Sequence, residues 1–160
     1  MLDAISRRFR AKVTLEGAVA EVHLAKIVHS AYERGVLERF EEHDLDGHPD
    51  FGLWLPGMER PLLLECKNVR DSDEAYRSGG AVVAFKVETQ KTRMSAGDSS
   101  SRFYGVDQFD ILGVCLGKKT HNWTDFRFVR TRDLAAHGTH SGKLAVMHRV
   151  PLPGAAELGP

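Results

Sequence analysis

Residues 48–68, which read HPDFGLWLPGMERPLLLECKN, constrain the fold of this chain more than any other stretch. Apolar residues alternate with smaller or polar ones over residues 51–55, as they do in a half-buried β-strand. Residues 56–59, Pro-Gly-Met-Glu, have the composition of a tight turn. The apolar run within residues 61–69 is typical of a second strand. The sequence therefore predicts a β-hairpin with its turn at residues 56–59.

The register of this hairpin brings charged side chains together. If Leu55 faces Arg60, antiparallel counting places Asp50 opposite Glu65, and opposed residues have Cβ atoms about 5 Å apart. Lys67 lies two residues after Glu65, so both side chains leave the same face of the strand. The main alternative is a solvated ladder of surface ion pairs. Three leucines precede Glu65, and they favour a site because they make this strand too apolar for a freely solvated edge.

Two carboxylates this close repel each other, and a divalent cation compensates that repulsion directly. Mg²⁺ takes oxygen ligands and is commonly held by one or two carboxylates beside a phosphate. A neighbouring ammonium can position an attacking water and stabilise the charge that develops on phosphorus. The pattern of Asp50, Glu65 and Lys67 thus indicates metal-assisted phosphoryl chemistry.

A helix is predicted over residues 15–34, with Gly35 as its stop. At 100° per residue its apolar residues fall on one arc, which comprises Leu15, Ala18, Val22, Ala25, Val28 and Tyr32. Glu21 lies inside that arc, where a carboxylate is costly unless it is paired or bound to a metal. Glu21 is therefore a candidate site residue, and the alternative is a residue at the border of the stripe or paired with a lysine.

The remaining elements complete a mixed pattern of helices and strands. Residues 82–95 are expected to form a second helix, although β-branched residues at its start leave the boundary open. Residues 109–116 are almost continuously apolar, which is typical of a central strand buried on both faces. Residues 126–129 and 144–150 are further strand candidates. This order predicts an α/β or α+β fold with a mixed central sheet flanked by helices. We expect one domain over residues 1–150 and a flexible tail over 151–160.

Composition excludes several classes of protein. Hydrophobic residues make up 42% of the chain, so a folded globular domain is expected. The 22 basic and 22 acidic residues cancel, which argues against coating nucleic acid by bulk charge but allows a local basic patch. Candidate members of such a patch, or of an ordinary surface, are Lys118, Lys119, Arg127, Arg130 and Arg132. No apolar run reaches membrane-spanning length, and neither a secretory signal nor a disulfide framework is evident. A cytoplasmic location is therefore expected.

Pro49-Asp50 and Glu65-Cys66-Lys67, joined across a hairpin, resemble the signature of the PD-(D/E)xK nuclease superfamily. The resemblance implies a restriction-endonuclease-like core, in which Asp50 and Glu65 bind Mg²⁺, for which Mn²⁺ can substitute. It also implies that Cys66 offers its backbone carbonyl to the metal and that Lys67 assists catalysis. From the residues alone, the Cys66 side chain is expected in the core on the opposite face of the strand.

Two further residues enter through narrower resemblances. The spacing of Gly17 and Glu21 is similar to the first helix of archaeal Holliday-junction resolvases, whose Glu joins the metal site. The long acidic stretch between Gly35 and Asp50 departs from that group, so only the nuclease chemistry is carried over. Related nucleases also place a polar residue on the helix after the catalytic strand. Gln90 takes that position here, with a solvated helix face as the alternative.

These resemblances imply a Mg²⁺-dependent nuclease that hydrolyses phosphodiester bonds in nucleic acid, most readily an endonuclease acting on DNA. The family commonly works as dimers, which allows a homodimer. Two alternatives stay open. One is a catalytically inactive module of the same fold that binds nucleic acid or a protein partner, and the other is an RNA-cleaving nuclease of the same fold.

Overall fold

The structure is a computed structural model that describes residues 2–45, 47–71, 73–91 and 97–152. Two β-sheets and one long helix make up most of it. In chain order the helices and strands are α1 (Leu2–Glu33), β1 (Arg39–Glu42), β2 (Phe51–Trp54), β3 (Leu62–Asn68), β4 (Ala75–Ser78), β5 (Ala81–Glu88), β6 (Ile111–Cys115), α2 (Gly117–Thr120), β7 (Phe126–Arg130) and β8 (Met147–Val150). Short 3₁₀ turns cover Ser99–Arg102 and Thr131–Asp133.

The larger sheet is mixed, with strand order β1-β2-β3-β6-β7. Its neighbouring strands run antiparallel except for the central pair β3 and β6, which is parallel. The smaller sheet is antiparallel, with order β4-β5-β8. The predicted mixed α/β architecture is confirmed, although one long helix and the smaller sheet accompany the central sheet in place of two long helices.

The hairpin β2–β3 has the predicted register, with Phe51 paired with Leu64 and Leu53 with Leu62. Its turn is closed by the Met58 N–H, which donates to the Leu55 carbonyl at 3.1 Å. Gly57 has a φ of +81° at the third turn position, directly after a proline, which is the combination that this turn geometry favours. Extending the pairing by one residue sets Asp50 against Glu65.

Two apolar clusters hold the layers together. On one face of the larger sheet, α1 packs Ala20, Leu24 and Val28 against β2 and β3. On the other face, a second cluster joins β6 to the smaller sheet through residues that include Leu112, Val87 and Val150. Burying a leucine or valine side chain stabilises the fold by roughly 1.5–3 kcal/mol.

The helix differs from the prediction in its length and in its buried face. It begins at Leu2, well before the predicted start at residue 15, and the side chains of residues 3–15 are exposed. Leu15 and Val22, which the predicted arc placed inside, are 66% and 55% exposed. The predicted arc was correct for Val28 but wrong for Leu15 and Val22. The buried stripe is centred on Ala20, Leu24 and Val28, and it leaves Glu21 on an exposed face.

The helix predicted over residues 82–95 is also wrong. Residues Ala81–Glu88 form β5, and residues 92–95 of the predicted helix lie outside the described residues. Gly79 and Gly80 have φ values of +57° and +81°, so they form a two-residue loop between Ser78 and its partner Ala81. A Gly-Gly turn of this kind favours a hairpin, and β5 pairs with β4 across it.

The other strand predictions are confirmed, with β6, β7 and β8 inside or near the predicted ranges. Strand β6 is buried almost throughout, as its apolar run indicated. Strand β1 was not predicted. It forms an exposed edge of the larger sheet, and its acidic residues suit an edge because charge discourages pairing with other chains. Among the described residues no helix is long and apolar enough to cross a membrane.

Candidate active site

Asp50 and strand β3 are joined by a hydrogen bond at the margin of the larger sheet. The Cys66 N–H donates to Asp50 Oδ2 at 2.7 Å. The backbone before β2 is fixed by His43, whose N–H donates to the Asp50 carbonyl and whose ring Nδ1 donates to the Pro49 carbonyl, both at 2.8 Å. The position of the Asp50 carboxylate is therefore set by the backbone of two strands and the segment that leads into one of them.

Glu65 and Lys67 lie on the same face of β3, and Glu65 is the residue opposite Asp50 in the register of the hairpin. Glu65 is only 6% exposed, and its Oε1 lies 3.3 Å from Lys67 Nζ. The Tyr104 hydroxyl donates to the same Oε1 at 2.7 Å. The buried carboxylate of Glu65 is thus satisfied by one ammonium and one phenol, as the cost of burying a charge requires.

The pKa of the Asp50 carboxyl is raised by burial and by neighbouring negative charges. Partial burial, followed by the charge of Glu65, raises the pKa of Asp50 to about 7, although the Cys66 N–H and Lys67 lower it. Glu21 adds to the rise. Carboxylates that repel in this way form a local excess of negative charge, which attracts a cation.

Lys67 and Tyr104 form one polar cluster with Asp50 and Glu65, and the pKa values of both are shifted as well. Burial lowers the pKa of Lys67, but Glu65 and Tyr104 more than offset it, so the pKa of Lys67 lies above its ordinary value. Burial is the main cause that raises the pKa of Tyr104 to about 12. At neutral pH the site therefore presents a protonated lysine and a protonated phenol beside Glu65.

Glu21 lies near this cluster but outside the apolar stripe where it was predicted. The residue is exposed on α1, and its carboxyl is partly desolvated. That desolvation, together with the charge of Glu65, raises the pKa of Glu21, while Lys67 lowers it. Glu21 therefore shares the electrostatic field of Asp50 and Glu65 without being buried with them.

Cys66 contacts Asp50 through its backbone N–H and not through its thiol. Its side chain packs in the cluster beneath α1, and burial raises the pKa of the thiol, which disfavours a thiolate ligand. The N–H and C=O of one residue in a strand point to the same side of that strand. Because the Cys66 N–H donates to Asp50, the Cys66 carbonyl also points to the side of β3 on which Asp50 lies.

Gln90 is not on a helix and does not join the cluster. It lies just after β5 in an isolated bridge with Phe103, and its Oε1 accepts a hydrogen bond from Arg102 Nη2 at 3.2 Å. The next residue, Lys91, comes nearer, with Nζ 5.4 Å from the centre of the Tyr104 ring. The helical placement of Gln90 was wrong because the segment is a strand.

The oxygen atoms of Asp50 and Glu65 suit the way in which proteins bind Mg²⁺. No hydrogen bond from the described residues reaches Asp50 Oδ1 or Glu65 Oε2, so each carboxylate keeps one oxygen that could bind a cation. Within the described ranges, no three His, Cys, Asp or Glu side chains are grouped closely enough to enclose a metal ion. Mg²⁺ does not need such a cage, because one or two carboxylates with water and phosphate oxygens suffice. The residues present fit that mode of binding.

Tyr104 is a member of the cluster that the sequence did not reveal. It follows Glu65 by 39 residues and lies in the irregular segment between the 3₁₀ turn Ser99–Arg102 and β6. No motif or periodicity singles it out, since its proximity to Glu65 depends on how the chain crosses from β5 to β6. Two of the basic residues predicted as a patch or as ordinary surface form ion pairs: Lys118 pairs with Glu16 and Asp71, and Arg130 pairs with Asp133.

No family model matches the chain, and no curated protein matches it. One solved structure is similar in fold, that of a bacterial homing endonuclease, I-Ssp6803I. The likeness has a TM-score of 0.54 at 14% sequence identity, and it covers 92% of this chain and 84% of that one. The chain therefore shares the fold of a nuclease over almost its whole length.

Proposed function

We propose that this protein is a metal-dependent endonuclease that hydrolyses phosphodiester bonds, with Asp50, Glu65 and Lys67 as the residues that perform the reaction. The observation that carries the proposal is the joining of Asp50 to β3 beside Glu65, with Lys67 3.3 Å from the Glu65 carboxylate. The likeness in fold to a homing endonuclease supports the same reaction class.

The atoms that would hold Mg²⁺ or Mn²⁺ are Asp50 Oδ1, Glu65 Oε2 and the Cys66 carbonyl oxygen. Glu21 is near enough to add a negative charge to the site. A bound divalent ion would neutralise charge on the phosphate and lower the pKa of a coordinated water. The repulsion that raises the pKa of Asp50 supports this role, because a cation relieves it.

Lys67 would act on the substrate and the attacking water. Its raised pKa keeps the ammonium charged at neutral pH. A fixed positive charge next to the scissile phosphate stabilises the negative charge that develops in the transition state. Glu65 keeps this ammonium in place through their ion pair, so the lysine needs little reorganisation during the reaction.

We assign DNA as the substrate class, because the similar structure is named as a homing endonuclease. Lys91 offers a local positive charge for the nucleic-acid backbone, since it lies over Tyr104 at the edge of the cluster. The proposal also includes a homodimer, because cutting both strands of a duplex in one event requires two sites.

A cleavage panel tests this proposal. Purified protein is incubated with duplex, single-stranded and branched DNA and with RNA, each in Mg²⁺, Mn²⁺ or EDTA, and the variant Glu65→Gln controls for contaminating nucleases. We expect cleavage of DNA that requires a divalent ion and is lost in the variant. Binding without cleavage would favour the inactive binding module, and cleavage of RNA alone would favour the RNA-cleaving alternative.

A further inference from the structure

We infer that Tyr104 is a positioning residue of the active site, whose hydroxyl orients the Glu65 carboxylate for the metal. The inference rests on the proposed function and extends it to a residue outside the hairpin that carries the other site residues. Its basis is the 2.7 Å hydrogen bond from the Tyr104 hydroxyl to Glu65 Oε1.

Both donors of the cluster act on the same oxygen of Glu65. Lys67 Nζ lies 3.3 Å from Oε1, and the Tyr104 hydroxyl meets Oε1 as well. With two donors on Oε1, the carboxylate has a fixed rotation about its last bond, and among the described residues no donor occupies Oε2. The bond from the hydroxyl thus leaves Oε2 available to the cation. Residues that hydrogen-bond to a metal ligand commonly orient it in this way.

The Tyr104 side chain is itself held by packing. Its ring makes an edge contact with Phe109, with the ring centres 5.4 Å apart, and it borders the apolar cluster between the two sheets. The backbone of Tyr104 is fixed because its carbonyl accepts a hydrogen bond from the Leu144 N–H at 2.8 Å. The hydroxyl is therefore placed by the folded structure before any metal or substrate binds, which is the condition for positioning.

The ring has a second contact with the site's cations. Lys67 Nζ and Lys91 Nζ each lie 5.4 Å from the ring centre. An aromatic ring attracts ammonium groups at this distance. Replacing Tyr104 with phenylalanine keeps this ring and removes only the hydroxyl, so the substitution isolates the hydrogen bond to Glu65.

The chain provides a matched control in Tyr76. Two cations, Lys86 and Arg149, lie over the Tyr76 ring, 5.0 and 4.6 Å from its centre. Among the described residues, its hydroxyl makes no hydrogen bond to a candidate site residue. Tyr76→Phe therefore removes a hydroxyl from a similar cation-bearing ring without touching Glu65.

The test compares Tyr104→Phe, Tyr76→Phe and wild type in three measurements. These are Mn²⁺ affinity by titration calorimetry without nucleic acid, kcat and KM for cleavage of a DNA duplex, and the melting temperature. We expect Tyr104→Phe to lose roughly 10-fold or more in Mn²⁺ affinity and in kcat, the usual cost of losing a partner behind a metal ligand. KM should change no more than in Tyr76→Phe, whereas the melting temperature should fall further than in Tyr76→Phe, because the buried Glu65 carboxylate loses a donor.

Wild-type values for Mn²⁺ affinity and kcat in Tyr104→Phe would overturn the inference and leave the proposed function intact. Losses that disappear at lower temperature and follow the melting temperature would also overturn it, since they indicate a structural role. Weaker Mn²⁺ binding in the variant together with no cleavage by wild type would support the inference and overturn the proposed reaction. Wild type that does not bind Mn²⁺ would overturn both.

Discussion

The Cys66 N–H donates to the Asp50 carboxylate at 2.7 Å, and this bond ties the residue before β2 to the middle of β3. Asp50 is thereby held beside Glu65, whose charge contributes to raising the pKa of Asp50 to about 7. The fold thus keeps two carboxylates close together, and a bound cation would relieve their repulsion.

Asp50→Asn should stabilise the metal-free protein at pH 8. The folded-state pKa of Asp50 lies above its ordinary value of 3.8, so between about pH 4 and 7 the folded state holds a proton that the unfolded state has lost. Stability contributed by this group is therefore greatest below about pH 4 and falls as the pH rises to about 7. We expect Asn to raise the free energy of unfolding at pH 8 by about 1–2 kcal/mol, reduced from the full shift because Asp50 is partly exposed.

Urea denaturation in EDTA at several pH values measures this effect. The difference between variant and wild type should shrink as the pH is lowered from 8 to 4. A variant that is less stable than wild type at pH 8, with the same pH dependence, would show that the repulsion is absent.

Lys67→Met should lower the rate of cleavage far more than it weakens DNA binding. The ammonium acts on charge that develops only in the transition state, so its loss should cost about 2–4 kcal/mol in the activation free energy. Single-turnover cleavage and equilibrium binding of the same duplex measure the two effects. The control is Lys86→Met, since Lys86 also lies over a tyrosine ring, 5.0 Å from its centre, but not beside Glu65. Equal losses in rate and binding would reduce Lys67 to a phosphate contact.

Glu65→Gln should weaken Mn²⁺ binding without unfolding the protein. The amide keeps an oxygen that can accept the Tyr104 hydroxyl but removes one of the two negative charges expected to hold the ion. We expect a loss of affinity of at least 10-fold in calorimetry. Glu88→Gln is the control, because Glu88 is a partly buried carboxylate whose partner is Arg70 on the smaller sheet's side. Unchanged affinity in Glu65→Gln would place the metal elsewhere.

His148 should make the smaller sheet sensitive to acid. The residue is 4% exposed, its Nε2 lies 2.9 Å from Thr89 Oγ1, and its buried Nδ1 has no partner among the described residues. Burial lowers the pKa of His148 below 6.5, so stability is present above that pH and is lost as the pH falls, because only the unfolded state takes up the proton.

The free energy of unfolding of wild type should therefore fall as the pH is lowered below about 6.5. Denaturation of wild type and His148→Gln across pH 5–8 isolates the contribution, and His121→Gln, on an exposed turn, is the control. A parallel pH dependence in wild type and His148→Gln would contradict the assignment.

The hairpin that carries the site could be predicted because its determinants are local. A proline and a glycine fix the turn at residues 56–59, and the alternating pattern then sets the register that brings Asp50 to Glu65. The direction of each side chain along β3 follows from the period of a strand, so Lys67 and the Cys66 thiol also take opposite faces.

The errors arose where tertiary packing decides the structure. Residues 81–88 fit a helix unless Gly79 and Gly80 are recognised as a hairpin turn. The strand that residues 81–88 form also pairs with β8, which lies more than 50 residues later in the chain. The buried face of α1 depends on where the sheet ends beneath it, which sequence periodicity does not specify. Tyr104 escaped prediction for the same reason, since its contact with Glu65 spans 39 residues.

The proposed role of Asp50 is tested by single-turnover cleavage of one DNA duplex by wild type, Asp50→Asn and Asp110→Asn. Asp110 is a matched control, because its Oδ2 also accepts a hydrogen bond from a β3 backbone N–H, that of Leu63, at 2.9 Å, but it lies outside the cluster. We expect cleavage by wild type in Mg²⁺ and none in EDTA. We further expect a loss of about 100-fold or more in Asp50→Asn and a rate near wild type in Asp110→Asn. Equal rates in wild type and Asp50→Asn, or cleavage that persists in EDTA, would contradict the proposed role of Asp50.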